Sequence, residues 1–330
     1  MYSKKLLVVL LTIVIMGASA LVLGCTSSSP SPTATPTGTV PTATAAPTTQ
    51  SAASIMIGGS TTVQPLSQIL ADAYFNKTGV KVTVTGGGSG AGITGVGSGT
   101  LDIGSASENV PASSLVTYPN LQTFTIGGSG VCIIVGSAVT VPANGFSIHD
   151  LAVSYVTGTP VANLSSDGVK DLYTRADNPS GTADSFGTYL FGSANKSWIY
   201  ANTTNNLKGA QGNPGMLEAI QTDPNGLAFI DYGFTTNQTG IQIPVLQDAS
   251  GNVYTANSAD IKGALVDMSN NKTSSSAYPI SLVRPLNYIT NGAPTPAVQA
   301  FINYALDPSN EYAYQECGYF SINDIKAAST

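Results

Sequence analysis

The hydrophobic pattern changes period several times along the chain, and each change marks an element. Ser54-Ile55-Met56-Ile57 is short and apolar, which predicts a strand. Beyond Pro65, Leu66, Ile69, Leu70, Ala73 and Tyr74 fall three and four residues apart, which predicts an amphipathic helix stopped by Gly79. Val80-Lys81-Val82-Thr83-Val84 then alternates as a strand does. The stretch from Thr85 to Gly99 follows, with Ile93 and Val96 at helical spacing, so the unit reads as strand, glycine turn, helix. Leu101 and Ile103 suggest a further short strand. The continuous apolar run within Gly127 to Gly136 predicts a buried strand that begins a second lobe.

Later elements read in the same way. Ser147 to Leu151 opens a short helix, and Phe186, Tyr189 and Leu190 lie on another that starts near Ser180. Gly212-Asn213-Pro214-Gly215 starts a helix through Leu217 and Ile220, and Gly226 to Tyr232 is a strand. Tyr278 to Ile289 is expected to be extended, followed by helices over Val298 to Ala305 and Glu311 to Cys317.

The first residues obey other rules. Lys4 and Lys5 precede an apolar run from Leu6 to Leu23 that ends in Gly24-Cys25, the pattern of an export signal. Cys25 directly after Leu-Val-Leu-Gly resembles the lipobox of exported lipoproteins, which implies cleavage before Cys25 and lipidation of its thiol. An uncleaved signal anchor is the alternative, and it leaves the chain on the same outer face of a membrane. Thr26 to Ser54 holds Ser, Thr, Pro and Ala without a charge, too polar to bury a core, and reads as a stalk. About 275 residues remain from Ile55, enough for one large or two ordinary domains. Sequons stand at Asn76, Asn163, Asn195, Asn202, Asn237 and Asn271.

Charge narrows the chemistry. The net charge is −6 and only 9% of residues are charged, so no basic face is available for nucleic acid. Any anion must therefore be held by local dipoles. His149, the one histidine, has no second histidine or cysteine pair near it in sequence, and reads as a surface or capping residue. No metal site or catalytic grouping is legible. Cys132 sits in an apolar run like a small buried hydrophobe, and a disulfide to Cys317 suits an exported protein but has no support from spacing.

Three stretches remain that could seat an anion, each a helix start rich in hydroxyls, where unpaired N–H groups and the positive end of the helix dipole point outward. The first carries Thr61 and Thr62, and the second carries Ser89 after the glycines. The third runs through Ser180-Gly181-Thr182 behind Arg175, which suits bidentate bonds to an oxyanion, with Asp177 placed to brace the guanidinium. Ser107 and Glu108, after Leu101-Asp102-Ile103-Gly104, are candidates to face the same anion; a carboxylate there requires an anion with a proton to donate. The glycine stretch lacks the lysine of a P-loop, and its Gly90, Gly92 and Gly95 lack the acidic partner of a dinucleotide site. Ser180 has no nucleophile elbow around it.

Taken together, Gly59 to Pro65, Gly86 to Gly92, Leu101 to Gly104, Arg175 through Ser180-Gly181-Thr182, Tyr278-Pro279-Ile280 and Arg284-Pro285-Leu286 resemble, in order and spacing, the phosphate-binding proteins of ABC transporters. The resemblance covers Ile55 to Gly318. It implies a two-lobed α/β fold of the type II periplasmic-binding-protein kind, each lobe a mixed sheet flanked by helices, with the ligand in the cleft between them. The implied division is 1–24 signal with lipobox, 25–54 linker, 55–127 first part of lobe 1, 128–232 lobe 2 and 233–330 completion of lobe 1. It further implies dehydrated inorganic phosphate bound by Thr61, Thr62, Ser89, Ser107, Glu108, Arg175, Ser180, Gly181 and Thr182, with Asp177 behind Arg175. The implied protein is a lipid-anchored, monomeric receptor on the outer face of the cytoplasmic membrane. It would need no cofactor, catalyse nothing, and serve an ABC permease with its ATPase.

Two departures bear on which oxyanion is taken. Where family members carry an aspartate that accepts the proton of hydrogen phosphate, an ungapped alignment puts Ser107, with Glu108 one place on. The span from Arg175 to Ser180 is one residue longer, with Pro179 inserted. Another tetrahedral oxyanion, molybdate, tungstate or sulfate, is the alternative ligand.

Overall fold

The computed structural model describes residues 54–200 and 206–329. The export signal with Cys25, the linker up to Ala53 and the Asn202 sequon lie outside those residues. From Ile55 the apolar segments form β1 (Ile55–Gly59) and β2 (Val82–Gly86), parallel, with Ile57 opposite Val84. Between them α1 (Val63–Thr78) buries Val63, Leu66, Leu70 and Tyr74 on one face and stops at Gly79, whose φ of 73° is left-handed. After the glycine turn come α2 (Ser89–Gly97) and β3 (Ile103–Ala106), which pairs with the other edge of β1. α2 lies close on these strands because Gly92 has no side chain: a Cβ there would stand 2.5 Å from the Ser105 carbonyl oxygen. α3 (Ala112–Thr117) then leads into β4 (Leu121–Gly136).

The second half holds β5 (Phe146–Ser147), α4 (Ile148–Thr157), α5 (Ala162–Ser166), β6 (Asp171–Arg175) and α6 (Gly181–Phe191). β7 (Lys208–Ala210), α7 (Gly212–Thr222) and β8 (Gly226–Asp231) follow. Short strands β9 (Ile241–Gln242), β10 (Leu246–Gln247) and β11 (Val253–Tyr254) precede α8 (Ser258–Ser269) and β12 (Val283–Asn291). The chain ends with α9 (Pro296–Ala305), α10 (Glu311–Glu316), β13 (Phe320–Ser321) and α11 (Ile322–Ala327). His149 is exposed, in the first turn of α4, and its backbone N–H donates to the capping Ser147.

The main sheet runs β2-β1-β3-β12-β4-β8-β6-β7, with β9 and β13 also paired to β4. β4 is buried at every residue from Ile126 onward, because it pairs with β12 up to Gly130 and with β8 from Val131. One strand therefore runs through both halves, and β12 returns antiparallel to it. One apolar core gathers Ile57, Leu66, Ile103, Leu286, Phe301 and Tyr314. The other gathers Ile133, Phe186, Phe229, Ile261, Leu265 and Tyr278.

That second core reaches beyond the boundary at 232 expected from the sequence. Ile261, Leu265, Tyr278 and Leu282 all pack in it, and the first core resumes only at Leu286. The cause lies on β4: α8 closes on Gly128 and Gly130, where added Cβ atoms would stand 2.5 Å from Leu265 and 2.9 Å from Ile261. Cys132 and Cys317 are both buried free thiols, one in each core, with no disulfide between them.

Candidate functional site

Between the two cores lies a cluster of buried polar side chains. Arg175 is the last residue of β6, and the chain turns at once through Asp177 and the cis Asn178–Pro179 bond into α6. That turn folds Asp177 back on its neighbour: Arg175 donates from Nε to Asp177 Oδ1 at 2.7 Å and from Nη2 to Oδ2 at 2.6 Å. Asp177 is further held by the Gly212 N–H at 3.1 Å. The rest of the guanidinium reaches out, Nη2 to Thr61 Oγ1 at 3.0 Å and Nη1 to Asn213 Oδ1 at 3.1 Å.

A second arginine faces the same hydroxyls. Arg284, on β12, donates from Nη2 to Asp231 Oδ2 at 2.6 Å and to Thr62 Oγ1 at 2.9 Å, and from Nη1 to Thr182 Oγ1 at 2.9 Å. Its Nε is buried without a protein acceptor, a donor left for an incoming oxygen. Asp231 ends β8 and also accepts from Ser129 at 2.7 Å. Asn213 in the first turn of α7 completes the bridge, giving Nδ2 to Thr62 at 2.8 Å and its backbone N–H to Thr61 at 3.2 Å. Two arginines and two aspartates cancel in charge, so what remains directed at a ligand is a set of donors. Thr61 is the most exposed of these groups, at 9%.

The serines stand beside this cluster. Ser60 donates to Ser107 Oγ at 3.0 Å, Ser89 lies 3.4 Å from the same oxygen, and the Ser107 N–H donates to Ser89 Oγ at 3.1 Å. Ser180 caps α6 by accepting from the Ala183 N–H. Gly181 lies against Ser107: a Cβ on it would meet the Ser107 carbonyl oxygen at 2.7 Å. The Gly90 N–H reaches the Pro179 carbonyl at 3.4 Å, which ties the start of α2 to the start of α6. The N-termini of α1, α2, α6 and α7 thus converge, and their dipoles favour negative charge there.

Of the residues singled out in the sequence, Thr61, Thr62, Ser89, Ser107, Arg175, Asp177, Ser180, Gly181 and Thr182 come together. Glu108 is placed by its backbone carbonyl, which accepts from Asn287 Nδ2 at 2.8 Å, and among the described residues its carboxyl makes no hydrogen bond to this cluster. Burial first, and the Asp184 charge second, push the Glu108 carboxyl up to about 7. Arg284, Asn213, Asp231 and Ser60 are members that the sequence reading did not name as ligands. Arg284 lies in the Arg284-Pro285-Leu286 motif and Asn213 in the helix start Gly212-Asn213-Pro214-Gly215, so the sequence carries a signal for their positions but not for their roles. Among the described residues no three His, Cys, Asp or Glu side chains gather as a metal site would require, and no helix is long and apolar enough to cross a membrane.

Two α/β lobes joined by shared strands, with buried hydrogen-bond donors between them, define a type II solute-binding fold. A family model described as the PBP superfamily domain matches residues 44–309, and the chain belongs to that superfamily. Solved structures agree on the fold. A phosphate ABC transporter substrate-binding protein from Clostridium perfringens, with bound phosphate, superposes at TM-score 0.66 with 19% identity, covering 82% of this chain and 100% of that one. An ABC-type phosphate transport receptor from Vibrio cholerae gives 0.57 and 21%, over 81% and 99% of the two chains. A phosphate-binding protein from Stenotrophomonas maltophilia gives 0.60 and 13%, over 84% and 95%.

Proposed function

We propose that this chain is the extracytoplasmic receptor of an ABC transporter for inorganic phosphate, held at the membrane by lipid on Cys25 and delivering its ligand to a permease with an attached ATPase. The observation that carries the reading is the pair of buried arginines, each braced by an aspartate and each bonded to a threonine hydroxyl at the start of α1. Such a cluster offers charge-assisted donors without excess positive charge, and a dehydrated tetrahedral anion can satisfy them from both lobes at once. The structural neighbours that bind phosphate support the same ligand. Thr61, Thr62, Ser89, Ser107, Arg175, Arg284 and Thr182 are the proposed contacts, with Ser180 and Gly181 at the helix start and Asp177 and Asp231 behind the arginines. Closure of the lobes gives the permease a shape to recognise. Capture and release make no covalent change, and the cluster contains no histidine or cysteine base.

The test is calorimetry on the purified full chain, stripped of bound ligand and titrated with phosphate, sulfate and molybdate at neutral pH. Tight phosphate binding with no sulfate heat is expected. A preference for sulfate or molybdate replaces the ligand, and no heat from any oxyanion overturns the reading.

A further inference from the structure

A threonine hydroxyl has one proton to give and two lone pairs on which to receive. At Thr62 both lone pairs are occupied: Oγ1 accepts from Asn213 Nδ2 at 2.8 Å and from Arg284 Nη2 at 2.9 Å. Thr61 Oγ1 is filled in the same way, by Arg175 Nη2 at 3.0 Å and the Asn213 backbone N–H at 3.2 Å. Each hydroxyl is left with its proton alone. The Thr62 proton has Thr182 Oγ1 as a partner only at a long 3.5 Å.

Asn213 serves both threonines and is itself fixed. It is wholly buried in the first turn of α7, and its Oδ1 accepts from Arg175 Nη1 at 3.1 Å and from the Asp231 N–H at 3.2 Å. A flipped amide would set its NH2 group against those two donors, so Nδ2 must face Thr62. Gly212 allows the approach: its φ of 66° is left-handed, and a Cβ on it would stand 2.9 Å from Thr61 Cγ2. The contact crosses the cleft, since α7 packs Met216 and Ile220 into the second core and α1 packs Val63 and Leu66 into the first.

We infer that Asn213 is a positioning residue for the bound anion. On closure its amide fills the acceptor side of Thr62, as its backbone N–H fills that of Thr61. Both hydroxyls can then only donate, and the α1 end of the site takes the unprotonated oxygens of the ligand. This rests on the oxyanion-binding reading above. Asn213 acts through the threonines, without touching the ligand.

Asn213→Asp separates this role from packing. The carboxylate matches the amide in shape and still accepts from Arg175 and the Asp231 N–H. It offers Thr62 an acceptor in place of a donor, however, and the Thr62 proton turns inward to it. The added charge also repels the anion, so the substitution is compared with and without the Thr62 hydroxyl.

The experiment is calorimetry with inorganic phosphate at neutral pH on the full chain, for the wild type, Asn213→Asp, Thr62→Val and the double variant. Asn213→Asp is expected to weaken phosphate binding by about a hundredfold or more in the wild-type background. In the Thr62→Val background it should cost about tenfold less. An equal cost in both backgrounds overturns the inference and leaves the phosphate reading standing. Absence of phosphate heat in the wild type defeats that reading instead; the same cycle is then read with sulfate or molybdate, and if neither binds the inference falls too. Neutron diffraction from a deuterium-exchanged wild-type crystal with the anion bound gives the answer whether or not the variants fold. A Thr62 deuteron aimed at a ligand oxygen, with an Asn213 deuteron aimed at Thr62 Oγ1, supports the inference. A Thr62 deuteron aimed at Asn213 or Thr182 overturns it.

Discussion

Arg175 and Asp177 are both almost wholly buried, with side-chain exposures of 1% and 2%, and this decides what a substitution at either will do. Removing one partner of a buried pair strands the other charge, at about 3–5 kcal/mol, whereas removing both is often close to neutral. Arg175→Met is therefore expected to destabilise the chain by about that amount in urea denaturation, and Arg175→Met with Asp177→Asn to recover most of it. Phosphate affinity should not recover with it. Charge-assisted bonds contribute about 1.5–3 kcal/mol each, so loss of the guanidinium should weaken binding by roughly a hundredfold in both variants. A double variant with normal affinity would remove Arg175 from the site. The partnership of these two residues was legible in the sequence because they stand two positions apart at the end of a strand. Arg284 and Asp231 were not, because 53 positions separate them and only the pairing of β4 with both β12 and β8 brings them within 2.6 Å.

At the scale of elements, glycines set how closely helix starts approach, and two of them predict different outcomes. Gly92 is enclosed within one lobe, where a Cβ would press on the backbone of Ser105 and Gly58 at 2.5 and 2.8 Å. Gly92→Ala should lower the stability of the ligand-free chain by about 1–3 kcal/mol, the usual cost of overpacking, read from its denaturation midpoint. Gly181 meets Ser107 across the lobes, so Gly181→Ala should strain the closed form most. Its phosphate affinity should fall by about tenfold or more while ligand-free stability changes less than in Gly92→Ala. The reverse ranking would place the Gly181 contact outside the closing movement. Helix starts of this kind were readable because apolar spacing and a glycine or hydroxyl mark them locally, as at α1, α2 and α6. The destination of residues 233–282 was not, since nothing local distinguishes Ile261 and Leu265 as partners of the second core. What assigns them is the gap left on β4 by Gly128 and Gly130, more than a hundred positions earlier.

For the molecule as a whole, the question is whether two cores make two folding units. β4 and β12 argue against it, because β4 gives its first half to one sheet neighbour and its second half to another, so melting either lobe uncovers an edge of the strand that supports the other. The single tryptophan, Trp198, offers a local reporter: it is half exposed in the second lobe, 5.7 Å from the Phe191 ring. Its fluorescence follows that lobe alone, while far-ultraviolet circular dichroism follows both. Coincident urea midpoints by the two probes are expected, as for a single cooperative transition. Phosphate at a hundred times its dissociation constant should raise both midpoints together, by an amount equivalent to about 2.7 kcal/mol, since a ligand bound between the lobes stabilises only the form in which both are folded. An earlier fluorescence midpoint that phosphate brings into line with the dichroism would show instead that the ligand, rather than the shared strands, couples the lobes.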